Sequence, residues 1–226
     1  MFRMATFTSY GTCSLCGKNI SKAAMTRHLK VCAPGHDLSG GRPVSLFHLR
    51  IEDAYSPYFW LDLEMQTGGM LSDLDDFLRG IWLECCGHLS AFDIGGVSYS
   101  VSSYAGPLDD NRSMDVELGD VLAPGTRFGH TYDFGTSTEL KLRVVSEREG
   151  RIGRGPLRVL SRNDAPVWGC DICDEPANQI CTYCIYEKDN PFYCEVHAEE
   201  HGCEEEALLP VVNSPRMGMC GYEGPA

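Results

Sequence analysis

The stretch YFWLDLEMQTGGMLSDLDDFLRGIW, residues 58–82, carries both periodicities that the rest of the chain uses. Its first part alternates: Phe59, Leu61, Leu63 and Met65 fall on one side, and Tyr58, Trp60, Asp62 and Glu64 on the other. A period of two predicts a strand with one buried face. Gly68-Gly69 makes a turn. Beyond it, Leu74, Phe77, Leu78, Ile81 and Trp82 recur at helical spacing as a single apolar stripe, the mark of an amphipathic helix against a core. Ser72-x-x-Asp75 reads as the capping box that starts it. Cys85 and Cys86 follow, adjacent and without metal-ligand spacing, and are expected to be buried thiols at the helix end before Gly87.

Around this centre the elements are short and extended. Leu46–Glu52 is expected to be a strand. Ala91–Ile94 and Val97–Val101 are joined by Gly95-Gly96, a hairpin signal. Tyr104–Arg112 reads as loop, and Val116–Leu122 as a strand or short turn. Arg127–Phe134 and Glu139–Val145 flank a second hairpin turn at Gly135-Thr136-Ser137, with Leu140, Leu142 and Val144 pointing inward.

Both ends of the chain are rich in metal donors. At the C-terminal end, CDICDEPANQICTYCIYEKDNPFYCEVHAEEHGC spans residues 170–203. Cys170-x2-Cys173 and Cys181-x2-Cys184 are thiolate pairs, and Cys194-x2-His197 is a mixed pair. His201, Cys203 and Cys220 offer further donors. Two residues between donors let a tight turn aim both at one ion, and zinc takes four N/S ligands in a tetrahedron. A disulfide framework is the competing reading, but repeated C-x2-C pairs with interleaved His favour zinc. Alternating pairs suggest a cross-braced two-zinc module of the B-box or MYND type. Cys170, Cys173, Cys194 and His197 would hold one ion. Cys181 and Cys184 would hold the other with two of His201, Cys203 and Cys220; His201 and Cys220 are favoured, leaving Cys203 over.

At the N-terminal end, Cys13-x2-Cys16-x11-His28-x3-Cys32 is a zinc-finger spacing. Ile20 and Met25 supply the apolar wedge that a small finger needs. Ser21 can cap a helix through Lys22–Val31, which places His28 and Cys32 one turn apart on one face. His36 is a weaker candidate for the fourth position. Four ligands per ion give about three zinc ions per chain. Filled tetrahedra leave no place for a substrate water, so the zinc is expected to be structural.

Composition sets the outer limits. The 226 residues are 43% hydrophobic, enough for one core with small appendages, and carry a formal net charge of −13. Three parts are expected: a CCHC-type finger over residues 1–36, a central domain over 44–165, and the two-zinc module over 166–226. No apolar run is long enough for a membrane helix, and the start MFRMATFTSYGTC lacks the apolar centre of an export signal. With metal-type cysteine spacing this points to the cytoplasm and to no membrane contact. The acidity argues against a general nucleic-acid coat, since phosphate binding needs Lys and Arg. The first 50 residues are nevertheless basic, and Lys18, Lys22, Arg27 and Lys30 surround the finger helix as phosphate contacts would. A lone finger reads only about three base pairs, so a protein partner is the favoured expectation and a nucleic acid the alternative. Arg148, Arg151, Arg154, Arg158 and Arg162 recur in a Gly-rich stretch, and are expected to pair with Glu199, Glu200, Glu204, Glu205 and Glu206.

The centre of the chain also resembles a known family. The residues that carry the resemblance are the helix LSDLDDFLRGIW, the segment CGHLSAFDIGG with His88-Leu89 and Phe92, and above all Tyr132-Asp133-Phe134-Gly135, together about Leu46–Val145. These are similar to the plasmid Ri ORF-three-like family, also known as insertion-element passenger or TnpR-like proteins. The tail PVVNSPRMGMCGY, Pro210–Tyr222, resembles members with a C-terminal Cys-rich extension. The resemblance implies a compact α+β domain, a mainly antiparallel sheet packed on one helix, and an association with plasmids and mobile elements; it implies no activity. Many members continue Tyr-Asp-Phe-Gly with Asp and, shortly after, Trp and His. Thr136, Thr138 and Leu140 stand in or near those places here, so most of any such polar set is lost.

A hydrolase-like site would have to draw on His88, Asp93, His130 and Asp133, since a His and a carboxylate can act as acid and base. The sequence holds no G-x-S-x-G, H-E-x-x-H or phosphate-binding Gly loop. His130 is expected on the solvent face of a strand, and Asp133 in its turn. The expectation is therefore a non-catalytic, zinc-stabilised interaction protein, with a nucleic-acid factor and a hydrolase as the two alternatives.

Overall fold

The computed structural model describes residues 9–101 and 111–225; most of the loop expected over 104–112 lies outside them. In chain order, the first elements are β1 (Tyr10–Cys13), β2 (Asn19–Ser21), α1 (Lys22–Cys32), β3 (Val44–Asp53), β4 (Trp60–Gln66) and α2 (Leu71–Leu78). Next come β5 (Ser90–Ile94), β6 (Val97–Ser100), β7 (Arg112–Ser113), α3 (Leu118–Val121), β8 (Arg127–Tyr132), β9 (Thr138–Gly150) and β10 (Leu157–Asn163). The last are β11 (Gln179–Cys181), β12 (Phe192–Tyr193), α4 (Glu195–Glu199) and β13 (Leu208–Pro210). The class is α+β.

The chain divides into two compact units. The first runs to Asp75 and takes in Leu89–Thr131 and Glu139–Asp164; the second takes Asp76–His88, Tyr132–Thr138 and Ala165–Ala226.

The first unit is a ten-stranded, mostly antiparallel sheet in the order β2-β1-β10-β4-β3-β9-β8-β5-β6-β7. The N-terminal finger is part of this sheet and not a separate module. Its strand β1 pairs with β10, with Gly11 opposite Asn163 and Cys13 opposite Ser161. Gly11 is required there: a Cβ would fall on the Arg162 carbonyl and 2.7 Å from the Trp60 ring. Gly11→Ala is expected to cost about 1–3 kcal/mol through overpacking, read as a lower denaturant midpoint of the metal-loaded protein. An unchanged midpoint would contradict this packing.

Strand β4 is buried on both faces, whereas its alternation predicted one. Leu61, Leu63 and Met65 are fully buried on the apolar face, opposite Ile51, Leu49 and Phe47 of β3. The other face is covered by the finger: Trp60 packs with Cys13, Met25, Leu29, Ala33 and Leu160 in one cluster. The strand register then lines up the charges. Asp62 lies opposite Arg50, and Glu64 opposite His48 and Arg158. Asp62 accepts from Arg50 Nε at 2.9 Å and Ser161 Oγ at 2.9 Å, and pairs with His48 Nε2 at 2.8 Å. Buried polar groups of this kind are retained only when bonded, so a polar alternation does not mean an exposed face.

The arginine stretch, expected to pair with the C-terminal glutamates, finds partners inside the first unit. Arg148 and Arg158 converge on Asp37 and Glu64, with contacts of 2.6–3.1 Å, and Arg151 donates to the Gly41 carbonyl.

Helix α2 is shorter than the apolar stripe, which continues through a wider π-turn at Arg79–Leu83. Its cap is Asp73, whose carboxylate accepts from the Met70 N–H at 2.9 Å, not the Ser72/Asp75 pair. Asp75 is buried and used elsewhere: it pairs with His130 Nε2 at 2.6 Å and accepts from Ser90 Oγ at 2.9 Å. His130 is therefore inside the fold, 1% exposed, and not on the solvent face. The segment 116–122 is mostly the short helix α3.

The second unit holds a three-stranded sheet, β12-β11-β13. One buried cluster there comprises Cys181, Cys184, Tyr193, Ala198 and Ala207. No helix of the described residues is long and apolar enough to cross a membrane.

Candidate metal centres

The finger set is built by a hairpin knuckle and a helix. Gly17, at φ +72°, lets the chain turn so that the Gly17 N–H reaches the Cys13 carbonyl at 2.8 Å, a conformation natural to glycine. This aims Cys13 and Cys16 the same way. Helix α1 presents His28 and Cys32 to them: Cys16 Sγ stands 3.4 Å from His28 Nε2, and Cys13 Sγ 3.9 Å from Cys32 Sγ. His36 is outside this set, its Nδ1 lying 2.8 Å from the Cys32 carbonyl.

In the C-terminal unit the pairs interleave. Cys170, Cys173, Cys194 and His197 gather in one set, and Cys181, Cys184, His201 and Cys203 in another. Knuckle turns again orient the thiols, with the Ile172 N–H on Cys170 Sγ and the Cys184 N–H on Cys181 Sγ, both at 3.5 Å. Such bonds favour the charged thiolate. Cys194 heads α4, which brings His197 Nδ1 to 3.2 Å from Cys194 Sγ and 3.4 Å from Cys170 Sγ. In the second set Cys184 Sγ lies 3.4 Å from His201 Nε2 and 3.9 Å from Cys203 Sγ. The expectation that Cys220 completes this set, with Cys203 left over, is thereby corrected. Cys203 is two residues from His201 and follows it into the same pocket.

Cys220 stands instead in a set that the sequence did not suggest, with Cys85, Cys86 and His88. Cys85 is half-exposed and Cys86 exposed, so they are not the buried thiols expected at a helix end. The signal was present as a donor run, Cys85-Cys86-Gly87-His88, but its partner lies 132 residues further on.

Donor spacing tests whether these sets suit a metal. Zn–S bonds of about 2.3 Å and Zn–N bonds of about 2.0 Å give tetrahedral edges of ~3.8 Å between sulfurs and ~3.5 Å between sulfur and nitrogen. The contacts quoted above match those edges. A disulfide would need about 2.0 Å, and all twelve cysteines are unbridged. The donors are soft thiolate and imidazole throughout, which suits zinc over calcium or magnesium. Each set supplies four protein donors, the full number for a tetrahedral ion, so the coordination offered is closed.

Of the residues considered for catalysis, His88 and Asp133 come together, with His88 Nε2 3.4 Å from Asp133 Oδ2. His88 belongs to the Cys220 set. His130 is bonded to Asp75, and the exposed Asp93 accepts from the Gly96 N–H in its hairpin turn. Asp133 bonds Arg216 NH2 at 2.6 Å; that guanidinium holds its carboxyl down at about 2. Among the candidate phosphate contacts, Lys18, Arg27 and Lys30 are exposed, but Lys22 is paired with Glu52 at 2.8 Å.

No family model matches the chain, and no curated protein matches it. A solved structure that it is similar to is the crystal structure of a protein of unknown function from Methanosarcina mazei Go1, at 17% sequence identity and a TM-score of 0.44, covering 53% of this chain and 68% of that one.

Proposed function

We propose that this chain is a non-catalytic interaction protein held in shape by structural zinc, with another protein as its partner. One observation carries the reading: the finger and the two C-terminal sets each present four protein donors at tetrahedral spacing. A catalytic zinc keeps one place open for water or substrate. The second unit further leaves Ile172, Tyr183, Tyr186 and Val196 more than half exposed, and aromatic and aliphatic groups at a surface suit protein contact. The twelve free thiols fit a reducing cytoplasm, and membership of the plasmid Ri ORF-three-like family is part of the same proposal.

The test is crosslinking of full-length, zinc-loaded protein in extracts of its own cells, against a variant carrying Tyr183→Ser, Tyr186→Ser and Val196→Ser. The variant should keep its full zinc content and lose a crosslinked protein seen with the wild type. Identical crosslinks from both would remove the docking role. Salt-sensitive capture of DNA or RNA, abolished by changing Lys18, Arg27 and Lys30, would favour a nucleic-acid partner instead.

A further inference from the structure

We infer that Cys85, Cys86, His88 and Cys220 form a fourth zinc site, whose ion fastens the C-terminal tail within the second unit. Its ligand chemistry is that of the other three. Every set is three cysteines and one histidine, and four sets of three take up all twelve cysteines of the chain. The spacing agrees as well. Cys85 Sγ is 3.6 Å from Cys86 Sγ, Cys86 Sγ is 3.7 Å from Cys220 Sγ, and His88 Nε2 is 3.0 Å and 3.2 Å from Cys86 and Cys220.

The surroundings are built for it. Metal ligands are held by an outer shell of hydrogen-bonding groups, and here that shell is the Tyr132-Asp133 turn together with Arg216. The Cys85 N–H donates to Tyr132 Oη at 3.3 Å. Arg216, fully buried, reaches Cys85 Sγ at 3.7 Å, Asp133 Oδ2 at 2.6 Å, Thr138 Oγ1 at 3.2 Å and the Thr136 carbonyl. Three thiolates on a divalent ion leave one net negative charge, and the guanidinium beside Cys85 offsets it. Among the described residues, the two non-glycines with positive φ are Asp133 at 63° and Cys220 at 48°. Such backbones persist only where the surroundings impose them, and both are at this site. The Tyr-Asp-Phe-Gly segment thus gains a role that no catalytic reading gave it.

Binding would displace the three thiol protons as the ion takes their place. The site is the most accessible of the four, with two exposed thiols, Cys86 and Cys220, against one, Cys16, in the finger and none in the C-terminal sets.

The inference shares the zinc of the proposed function but is tested apart from it. Native mass spectrometry of the full chain, loaded with zinc alone, should give four ions, the number of sets. Cys220→Ser should lower the count by one, and Cys220→His, which keeps a donor, should restore it. N-ethylmaleimide should leave Cys86 and Cys220 unmodified until a chelator is added. Three ions in the wild type, with Cys86 and Cys220 promptly alkylated or joined as a disulfide, would overturn this site and leave the other three standing. No zinc at all would sink both readings. If Cys220→Ser fails to fold, the wild-type count and alkylation pattern still decide.

Discussion

Stripping zinc from the full-length protein with a strong chelator at neutral pH is expected to erase amide protection in β11 and β13 while β3 and β9 keep theirs. The reason is that the packing around β11 and β13 includes the donors themselves. One buried cluster of the second unit holds Cys181, Cys184, Tyr193, Ala198 and Ala207, of which Cys181 and Cys184 are donors, and Cys203 packs against it as a third. A buried apolar side chain contributes about 1.5–3 kcal/mol, whereas a structural zinc contributes about 10–16 kcal/mol of folding free energy. Without the ions the three-stranded sheet loses its largest single stabilising contribution. The large sheet, by contrast, buries Leu49, Ile51, Leu61, Leu63, Leu142 and Val144 without help from metal. Hydrogen exchange at Ile180 should therefore accelerate at least about a thousandfold, roughly 4 kcal/mol. Full protection of Ile180 in metal-free protein would show that packing alone holds this sheet.

Asp62→Ala is expected to destabilise the first unit by about 3–5 kcal/mol, because it leaves the buried Arg50 charge with only the more distant Glu52, at 3.8 Å, to offset it. For a chain of this size that corresponds to a fall in Tm of roughly 6–20 °C. Arg50 is 6% and Asp62 0% exposed, so water does not substitute. Burial alone would raise the Asp62 carboxyl, but the bonds from His48 and Arg50 outweigh it and hold it below the usual carboxylate value. A lowered folded value means that the stabilisation is complete above an unfolded carboxylate near 4 and is lost as pH falls through the folded value. The gap in Tm between wild type and variant should thus narrow in acid. Replacing both members, Asp62→Leu with Arg50→Met, should recover much of the loss, as for other buried pairs. A Tm unchanged by Asp62→Ala at neutral pH would mean that the network is solvated.

What could be read from the sequence was local. The C-x2-C pairs, the finger spacing and the hairpin at Gly95-Gly96 each depend on neighbours a few residues apart, and each is found where its chemistry placed it. What escaped depends on distant partners. Asp62 and Glu64 read as a solvent face because Arg50, Arg148 and Arg158 reach them only through strand pairing. Asp75 read as a cap because His130 lies 55 residues away. Cys85 and Cys86 read as inert for the same reason: half of a donor set has no signature until the tail supplies the rest. Lys22 read as a phosphate contact, but Glu52 holds it.

The position of β10 between β1 and β4 has a consequence for synthesis. A ribosome delivers Gly11 long before its partner Asn163. Until Leu157–Asn163 emerges, β1 and β4 each expose an unpaired row of backbone donors and acceptors, the feature that invites pairing with another chain. The finger can bind its ion early, yet it stays unanchored through most of translation. A nascent or truncated chain ending before Leu157 is thus expected to be prone to self-association through these open edges.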